Sequence, residues 1–427
     1  MTRGAAASAR EWERPEALLG VDEARERILA AVAPLPPERL PLLDALGLVL
    51  SENVVATTDL PPFRNSAMDG YAVHAADTTG AKPDRPVVLR VVGEVPAGVA
   101  SALSVGPGES ARIMTGALVP DGADAVVRFE DTDELAQPGP RNKVLVHRAV
   151  GRCANVRQAG EDVARGSLVL PVGAEVQPAT LGLLAALGCT SVPVHRPPRV
   201  AILSTGDELV PAGEPLAPGQ IRDSNTIMLA ALVKQLGARP VSLGAVRDDS
   251  DEIRERLSRA RDADLLLTSG GVSVGDYDLV KRVLRQEGRI DLWQVRIKPG
   301  KPMAFGRIGG TPLIGLPGNP TAALVAFLQF ARPAIQRMLG RLDWTPPLAR
   351  ARLSCTLENH ARRRHFVRGV VVRCGDTLLA RPAETQGSAS LSSVVRANCL
   401  IIVPEEWDHA PAGTDVDVEL LDSFAPR

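Results

Sequence analysis

The spacing of apolar and polar positions changes character several times along the chain. Over residues 16–50 it reads as helical, with Val21–Val32 the best amphipathic stretch, and it stops at the proline turn Pro34–Pro37. From about Val54 to Val150, short β-branched runs separated by glycine and proline take over. Val87–Val92, Arg112–Met114, Ala125–Val127 and Lys143–Val146 predict strands of an all-β region. Residues 155–196 add a strand-like run, Ser167–Leu170, and an apolar helix near Ala179–Leu187.

Between Arg199 and Gly340 the pattern alternates. The runs Val200–Leu203, Val241–Val246, Asp264–Leu267, Leu292–Ile297 and Leu313–Leu316 read as strands. Helical patterns at Thr226–Leu236, Asp251–Arg261, Tyr277–Glu287 and Thr321–Leu339 mostly separate them. Ser224 and Asn225 are placed to cap the first helix, Gly237 to close it, and Asp251 and Glu252 sit in the opening turn of the second. This alternation predicts a doubly wound, mainly parallel α/β sheet. The tail, about 343–427, returns to short strands at Phe366–Val372, Leu400–Val403 and Val416–Leu420, which predicts a small β-barrel or sandwich.

Composition narrows the functional classes. At 427 residues the chain is long enough for about three domains. Aromatic residues are only 3%, so aliphatic side chains must fill the cores and stacking surfaces for single-stranded nucleic acid are scarce. A net charge of −1 supplies no overall field for nucleic acid or an anionic membrane. No apolar stretch is long enough to span a bilayer, and Met1–Pro15 lacks the apolar core of a secretory leader. The five cysteines and six histidines show neither a disulfide framework nor zinc spacing. A reduced cytoplasmic protein that binds neither nucleic acid nor membrane is the expectation.

The chemistry gathers where the predicted strands end. After the first comes Ser204-Thr205-Gly206-Asp207-Glu208, and after the second Arg247-Asp248-Asp249. The third is followed by Thr268-Ser269-Gly270-Gly271-Val272-Ser273, running on to Asp276-Tyr277-Asp278. Lys298-Pro299-Gly300-Lys301-Pro302 follows the fourth and Pro317-Gly318-Asn319-Pro320 the fifth. Ligands of open α/β sheets bind beyond the carboxyl ends of the strands, so all five would line one edge. Ser269-Gly270-Gly271 offers backbone N–H groups and close approach. Pro317-Gly318-Asn319-Pro320 opens a helix, whose N-terminus favours anions. Lys298 and Lys301 add point charges for an oxyanion, and Asp207, Glu208, Asp248 and Asp278 offer hard oxygens for Mg²⁺. Each feature alone also reads as ordinary turn or cap chemistry. Together they predict a pocket for a phosphorylated or otherwise anionic ligand.

The β-rich region carries Asn65-Ser66-Ala67-Met68-Asp69-Gly70-Tyr71-Ala72, Arg112-Ile113-Met114-Thr115-Gly116-Ala117 and Gly160-Glu161-Asp162. Gly70 and Gly116 would permit tight turns beside Asp69 and Thr115, and propensity does not separate turn chemistry from function there. Taken with Ser204–Leu209, Thr268–Asp278, Ile297–Pro302 and Gly315–Pro320, these segments resemble the molybdopterin molybdotransferases in order and spacing. The similarity runs over essentially the whole chain from about residue 16.

That resemblance implies a four-domain subunit. An elongated mixed domain would take 16–58 and 155–196, a β-rich insertion 59–154, an α/β domain similar to molybdopterin adenylyltransferase 197–342, and a C-terminal β-barrel 343–427. It implies a homodimer with an active site shared between subunits, and partners that include molybdopterin adenylyltransferase and molybdoenzymes. The implied reaction takes adenylylated molybdopterin and molybdate with Mg²⁺ and releases AMP. By motif, Asp69, Thr115 and Asp162 are similar to the second subunit's side of the cleft. Glu208, Asp248 and Asp278 are similar to the acidic, Mg²⁺-placing group. Lys298 and Lys301 match the cations, Pro317 and Pro320 the shapers of the anion loop, and Arg368 and Ser388 the further molybdate contacts; Ser269, Gly270, Gly271 and Ser273 complete the substrate loop. Arg64, Gln294 and Ala322 depart from the Asp, Lys and small hydroxyl residue common in the family. Gln294 and Ala322 predict a molybdate side short of one cation and one hydroxyl. The alternatives are an adenylyltransferase acting on molybdopterin and ATP, suggested by Thr268–Asp278 alone, and a non-catalytic molybdopterin-binding scaffold.

Overall fold

The computed structural model describes residues 18–100, 102–136, 138–139, 141–246, 249–271, 288–383 and 385–421. By contacts the chain divides into two compact units. One is made of Pro41–Leu46 and Glu52–Val192, the other of the remaining N-terminal segments and Pro193 onward.

The second unit begins with helix α1 (Val21–Ala30), which buries Val21, Ala24, Ile28 and Leu29 at helical spacing. Asp22 and Glu23 in its first turn and Arg27 in its last follow the sign of the helix dipole. The helical reading of 16–50 ends there. Pro34, Pro36 and Pro37 supply no N–H for a helix to continue, and the chain turns into the strand Pro37–Pro41 and a short 3₁₀ turn, Leu43–Ala45.

The unit of Pro41–Leu46 and Glu52–Val192 is built on five strands: β1 (Gly70–Val73), β2 (Val87–Val95), β3 (Glu109–Ile113), β4 (Ala125–Arg128) and β5 (Lys143–Val146). Their order is β4-β1-β3-β2-β5. Both faces are covered. Tyr71, Val73, Leu89, Val127 and Val144 pack on one, and Ala72, Val95, Ala111 and Ile113 on the other. Gly70 is not at a turn, as its sequence context suggests. It is a close-approach glycine: a Cβ there would lie 2.1 Å from the Val127 carbonyl oxygen. Gly116, at φ +83°, does make the left-handed turn.

The unit that includes α1 contains the α/β layer and the C-terminal barrel. Strands β6 (Arg199–Thr205), β7 (Arg239–Val246), β8 (Leu265–Ser269), β9 (Gly288–Gln294), β10 (Pro302–Ile308) and β11 (Thr311–Leu316) pair in the order β7-β6-β8-β11-β10-β9. Helices α2 (Asn225–Gln235) and α3 (Ser250–Arg259) connect the early strands. The first four strands of that order are mutually parallel, while β10 is antiparallel to both neighbours. Strand β10 escapes the periodicity because Gly306 interrupts it. Gly306 is needed there, since a Cβ would sit 2.1 Å from the Arg289 carbonyl oxygen. Gly309 and Gly310, both at positive φ, then turn the chain straight into β11.

Helix α4 (Pro320–Ala326) runs on through a π turn, Phe327–Ala331, into a last helix, Arg332–Met338. Strands β12 (Leu348–Leu353), β13 (Arg364–Cys374), β14 (Thr377–Pro382), β15 (Cys399–Val403) and β16 (Asp415–Leu420) then form a closed barrel, ordered β13-β14-β12-β16-β15 with β15 returning to β13. Strands β12 and β14 were not predicted; the alternation Leu348-Ala-Arg-Ala-Arg-Leu353 is too polar to stand out, and only Ala351 and Leu353 are buried. Several contacts fix the barrel to the α/β layer, among them the following. Buried Glu419 accepts from Gln329 Nε2 (2.7 Å) and Arg332 (2.8 Å), and Ile297–Lys298 pairs in parallel with Arg364 and His365 at the start of β13.

Candidate anion-binding site

The parallel strands β6, β8 and β11 end side by side, and their loops form one wall of a cavity of about 940 Å³. Glycine makes this convergence possible. Gly270, at φ +88°, would place a Cβ 2.5 Å from the Thr205 carbonyl oxygen, and a Cβ on Gly318 would touch the Gly270 backbone at 3.5 Å. Asn225, at the start of α2, ties the loops together: its Nδ2 donates to Ser269 Oγ and to the Gly318 carbonyl, both at 2.7 Å. The sequence pointed to Ser224 and Asn225 as caps of α2. Ser224 does stand at the N-cap position, but its side chain makes no capping bond; the bonds come from the preceding Asp223, which accepts from Thr226 N (3.0 Å) and Thr226 Oγ1 and from Ser204 Oγ (3.2 Å).

The barrel supplies a cationic wall. Lys298, Arg363, His365, Arg368, Gln386 and Ser388 line the same cavity. Arg368 is 1% exposed, and its guanidinium donates to Ser393 Oγ (3.1 Å) and to the Thr385 and Gly387 carbonyls (3.2 and 3.1 Å). Among the described residues no carboxylate pairs with Lys298, Arg363 or Arg368. Burial lowers the pKa of Lys298, and the neighbouring Arg363 adds to it; burial also lowers that of Arg368. His365 feels this most: burial and then the charges of Lys298, Arg368 and Arg363 push its pKa down to about 3. Its Nδ1 is buried without a hydrogen-bond partner among the described residues, as are Thr205 Oγ1 and Asn225 Oδ1 on the same lining. A cavity wall on which Lys298, Arg363 and Arg368 gather with no carboxylate paired to them among the described residues is suited to a multiply charged anion, while Glu208 and Asp223 line the same cavity.

The predicted site residues fall into four groups. Glu208, Ser269, Gly270, Gly271, Lys298, Pro317, Pro320, Arg368 and Ser388 all line the cavity. Lys301 is exposed and does not line it. The helix start is less open to an anion than its sequence implies. Pro320 has no N–H, and Thr321 N donates to the Ser388 carbonyl (3.2 Å), while Asn319 Nδ2 donates to Ser388 Oγ (3.1 Å). Asp248, Ser273 and Asp278 lie outside the described residues.

In the other unit, Asp69 and Thr115 are brought together. Asp69 Oδ1 accepts from Thr115 N (2.7 Å) and Thr115 Oγ1 (2.9 Å), and the backbone bond leads in holding this exposed carboxyl below the usual range. Asp162 is exposed in the turn after Gly160, where its N–H donates to the Leu60 carbonyl.

Magnesium is only partly provided for by the described residues. Glu208 is exposed at the cavity, the oxygens of Asp223 already accept from Ser204 and Thr226, and no cluster of three metal-ligating side chains exists among the described residues.

Sequence reasoning missed Arg363 and His365. The available signal was the run Arg362-Arg363-Arg364-His365 directly before a strand, which reads as a solvated charge run. It also placed a shortage of cations at Gln294. Gln294 is exposed and off the cavity lining, whereas Arg363 and His365 are on it. Ala322 does line the cavity, without a hydroxyl.

An α/β layer with a ligand cavity at its carboxyl edge places the protein among molybdopterin-binding proteins once it is compared with known ones: the profile "Probable molybdopterin binding domain" matches residues 201–337. Profiles for the MoeA N-terminal region (domain I and II) and the MoeA C-terminal region (domain IV) match 19–188 and 350–421. A curated relative from Mycobacterium tuberculosis, molybdopterin molybdenumtransferase 2, is 42% identical over 90% of this chain and 94% of its own length. The Haemophilus influenzae molybdopterin molybdenumtransferase is 36% identical over 94% of this chain and 98% of its own. A crystal structure of the MoeA molybdopterin biosynthesis protein from Pyrococcus horikoshii superposes with a TM-score of 0.80 at 33% identity, covering 96% of this chain and all of that one. The chain belongs to the molybdopterin molybdenumtransferase (MoeA) family.

Proposed function

We propose that this protein transfers molybdate onto molybdopterin, taking adenylylated molybdopterin as substrate and releasing AMP. The observation that carries the reading is the wall of Lys298, Arg363, His365 and Arg368 facing the glycine loops across one cavity. The loops Ser269-Gly270-Gly271, with Ser273, hold the phosphorylated pterin by close backbone approach. Lys298, with Lys301 three residues on in the chain, neutralises the pyrophosphate and the incoming molybdate. Arg368 and Ser388 orient the molybdate, and Pro317 and Pro320 fix the shape of the loop between them. Charge held in advance by these groups favours the transition state of pyrophosphate cleavage, where negative charge builds on the leaving AMP.

Glu208, together with Asp248 and Asp278, is the group we assign to Mg²⁺, which would supply positive charge to neutralise the phosphates. Asp69, Thr115 and Asp162 are assigned to the side of the cleft contributed by a second subunit, so the working form is a homodimer. The four-domain division, a cytoplasmic location and handover between molybdopterin adenylyltransferase and molybdoenzymes belong to the same reading. Among the described residues no helix is long and apolar enough to cross a membrane.

The assay is AMP release from adenylylated molybdopterin on adding molybdate. Release that depends on molybdate supports the transferase. Consumption of ATP with molybdopterin in the absence of molybdate would instead mark an adenylyltransferase. Intact molybdoenzyme activity in cells carrying D69A or D248A would leave only a scaffold role.

A further inference from the structure

The anion cavity contains a titratable group to which the reaction as described gives no step. His365 is 8% exposed, lines the cavity, and pairs in register with Lys298. Arg363 and Arg368 lie two residues before and three residues after it on the chain. Its Nδ1 is buried and has no partner among the described residues. A buried imidazole nitrogen without a partner is costly unless something else pairs with it, and a cavity wall is where a ligand would. Every charged group acting on it from the adjoining elements is cationic: Lys298 from the segment beside β13, and Arg363 and Arg368 from its own chain.

We propose that His365 is a fourth member of the anion seat, which gains a proton when a tetrahedral dianion enters, so that oxyanion binding in this protein is linked to proton uptake. The inference rests on the reading of the cavity as the molybdate site. In the empty cavity the three cations and the dry surroundings disfavour an imidazolium. A dianion held between Lys298, Arg363 and Arg368 offsets most of that positive field and sets acceptor oxygens beside the ring. The imidazole then gains a hydrogen bond and a charge partner by accepting a proton from solvent, becoming a donor at both ring nitrogens. The step balances as one proton from bulk water per anion bound, with no covalent bond made or broken. The sign follows from linkage. Free protein leaves His365 neutral near neutral pH and the complex holds it protonated, so affinity falls as pH rises through the pKa of the complex, by up to about tenfold per pH unit.

The test uses the full chain and molybdate alone, by titration calorimetry between pH 6 and 8 in buffers of different ionisation enthalpy. The buffer dependence gives protons taken up per anion. Wild type is expected to take up a measurable fraction of one proton, with affinity weakening as pH rises. H365Q is expected to bind more weakly at pH 6 and to show neither uptake nor the pH slope. Because a buried substitution can disturb the fold, the imidazole is also followed directly in the wild-type chain by ¹⁵N-histidine NMR, where molybdate should move one ring to the shifts of an imidazolium. Molybdate binding without proton uptake, or equal uptake in H365Q, overturns the role of His365 and leaves the site assignment standing. No molybdate binding by the wild type overturns both.

Discussion

The cationic cavity and the Asp69–Thr115 pair are built on opposite principles. In the cavity, Arg368 and His365 are almost fully buried, Arg363 disfavours the charge on Lys298, and the three cations keep His365 neutral. Asp69 and Thr115 are exposed, and each satisfies the other through a side-chain and a backbone hydrogen bond. A protein holds like charges together in a buried place only where something else in its working state offsets them. An exposed, self-satisfied carboxylate costs the fold nothing, and its importance depends on what it meets. Removing the hydrogen-bonded Arg368 should therefore touch stability, removing the unpaired Lys298 should touch activity without loss of stability, and changes at Asp69 should touch activity alone.

The largest expected effect is at Lys298. K298M should lower kcat/KM for molybdate-dependent AMP release about 100-fold, the usual scale for removing one preorganised charge or donor, with thermal unfolding unchanged or slightly improved because a repulsion is relieved. A large loss of stability instead would mean that Lys298 holds the fold.

R368M tests the other cavity role. It leaves Ser393 Oγ and the Thr385 and Gly387 carbonyls without their donor, and should cost about 2 kcal/mol in denaturant unfolding. An unchanged midpoint would show that water replaces the guanidinium at no cost.

D69A should reverse the pattern: roughly tenfold less AMP release at an unchanged melting temperature, the lower end of what positioned acid–base or orienting groups contribute. If the melting temperature falls and activity stays, Asp69 is a turn residue and the comparison fails on that side.

Burial of His365 also makes stability depend on pH. An unfolded chain protonates His365 near its ordinary value of 6.5, while the folded chain does so only near 3. Between those values the unfolded state binds more protons, so stability falls as pH falls through the window, by at most about 1.4 kcal/mol per pH unit from this residue. Urea unfolding of wild type and H365Q from pH 7 to 4 should show a shallower slope in the variant. The smallest effect is expected from S388A, which removes the bond from Asn319 and should cost about threefold in apparent molybdate affinity, near the low end for one hydrogen bond.

The legibility of the chain follows the same division. The α/β alternation was readable because buried parallel strands such as Arg199–Thr205 and Leu265–Ser269 are continuous apolar runs, and Asp249 caps α3 where Asp-Asp suggested a cap. Strand β10 was hidden by Gly306, and β12 by its alternating arginines, since each depends on what lies across the sheet rather than on its own sequence. At the site, the glycine loops announced themselves, because the close approach of Gly270 to Thr205 needs glycine and nothing else. Arg363 and His365 did not. A basic run looks solvated until a barrel strand pairs with Ile297–Lys298 and turns it into the wall of a cavity. Asp223 was overlooked for a similar reason: its neighbours Ser224 and Asn225 are equally good caps by type, and only the position of Ser204 on β6 decides among them.

The central claim is that the oxyanion sits against the barrel wall. It is tested most directly by a crystal of the protein soaked in molybdate, with diffraction measured at the molybdenum absorption edge. The account predicts an anomalous peak within hydrogen-bonding reach of Lys298, Arg368 and Ser388, with His365 turned to the same ion. A peak elsewhere, or an occupied cavity in which no oxygen touches Lys298 or Arg368, would contradict it.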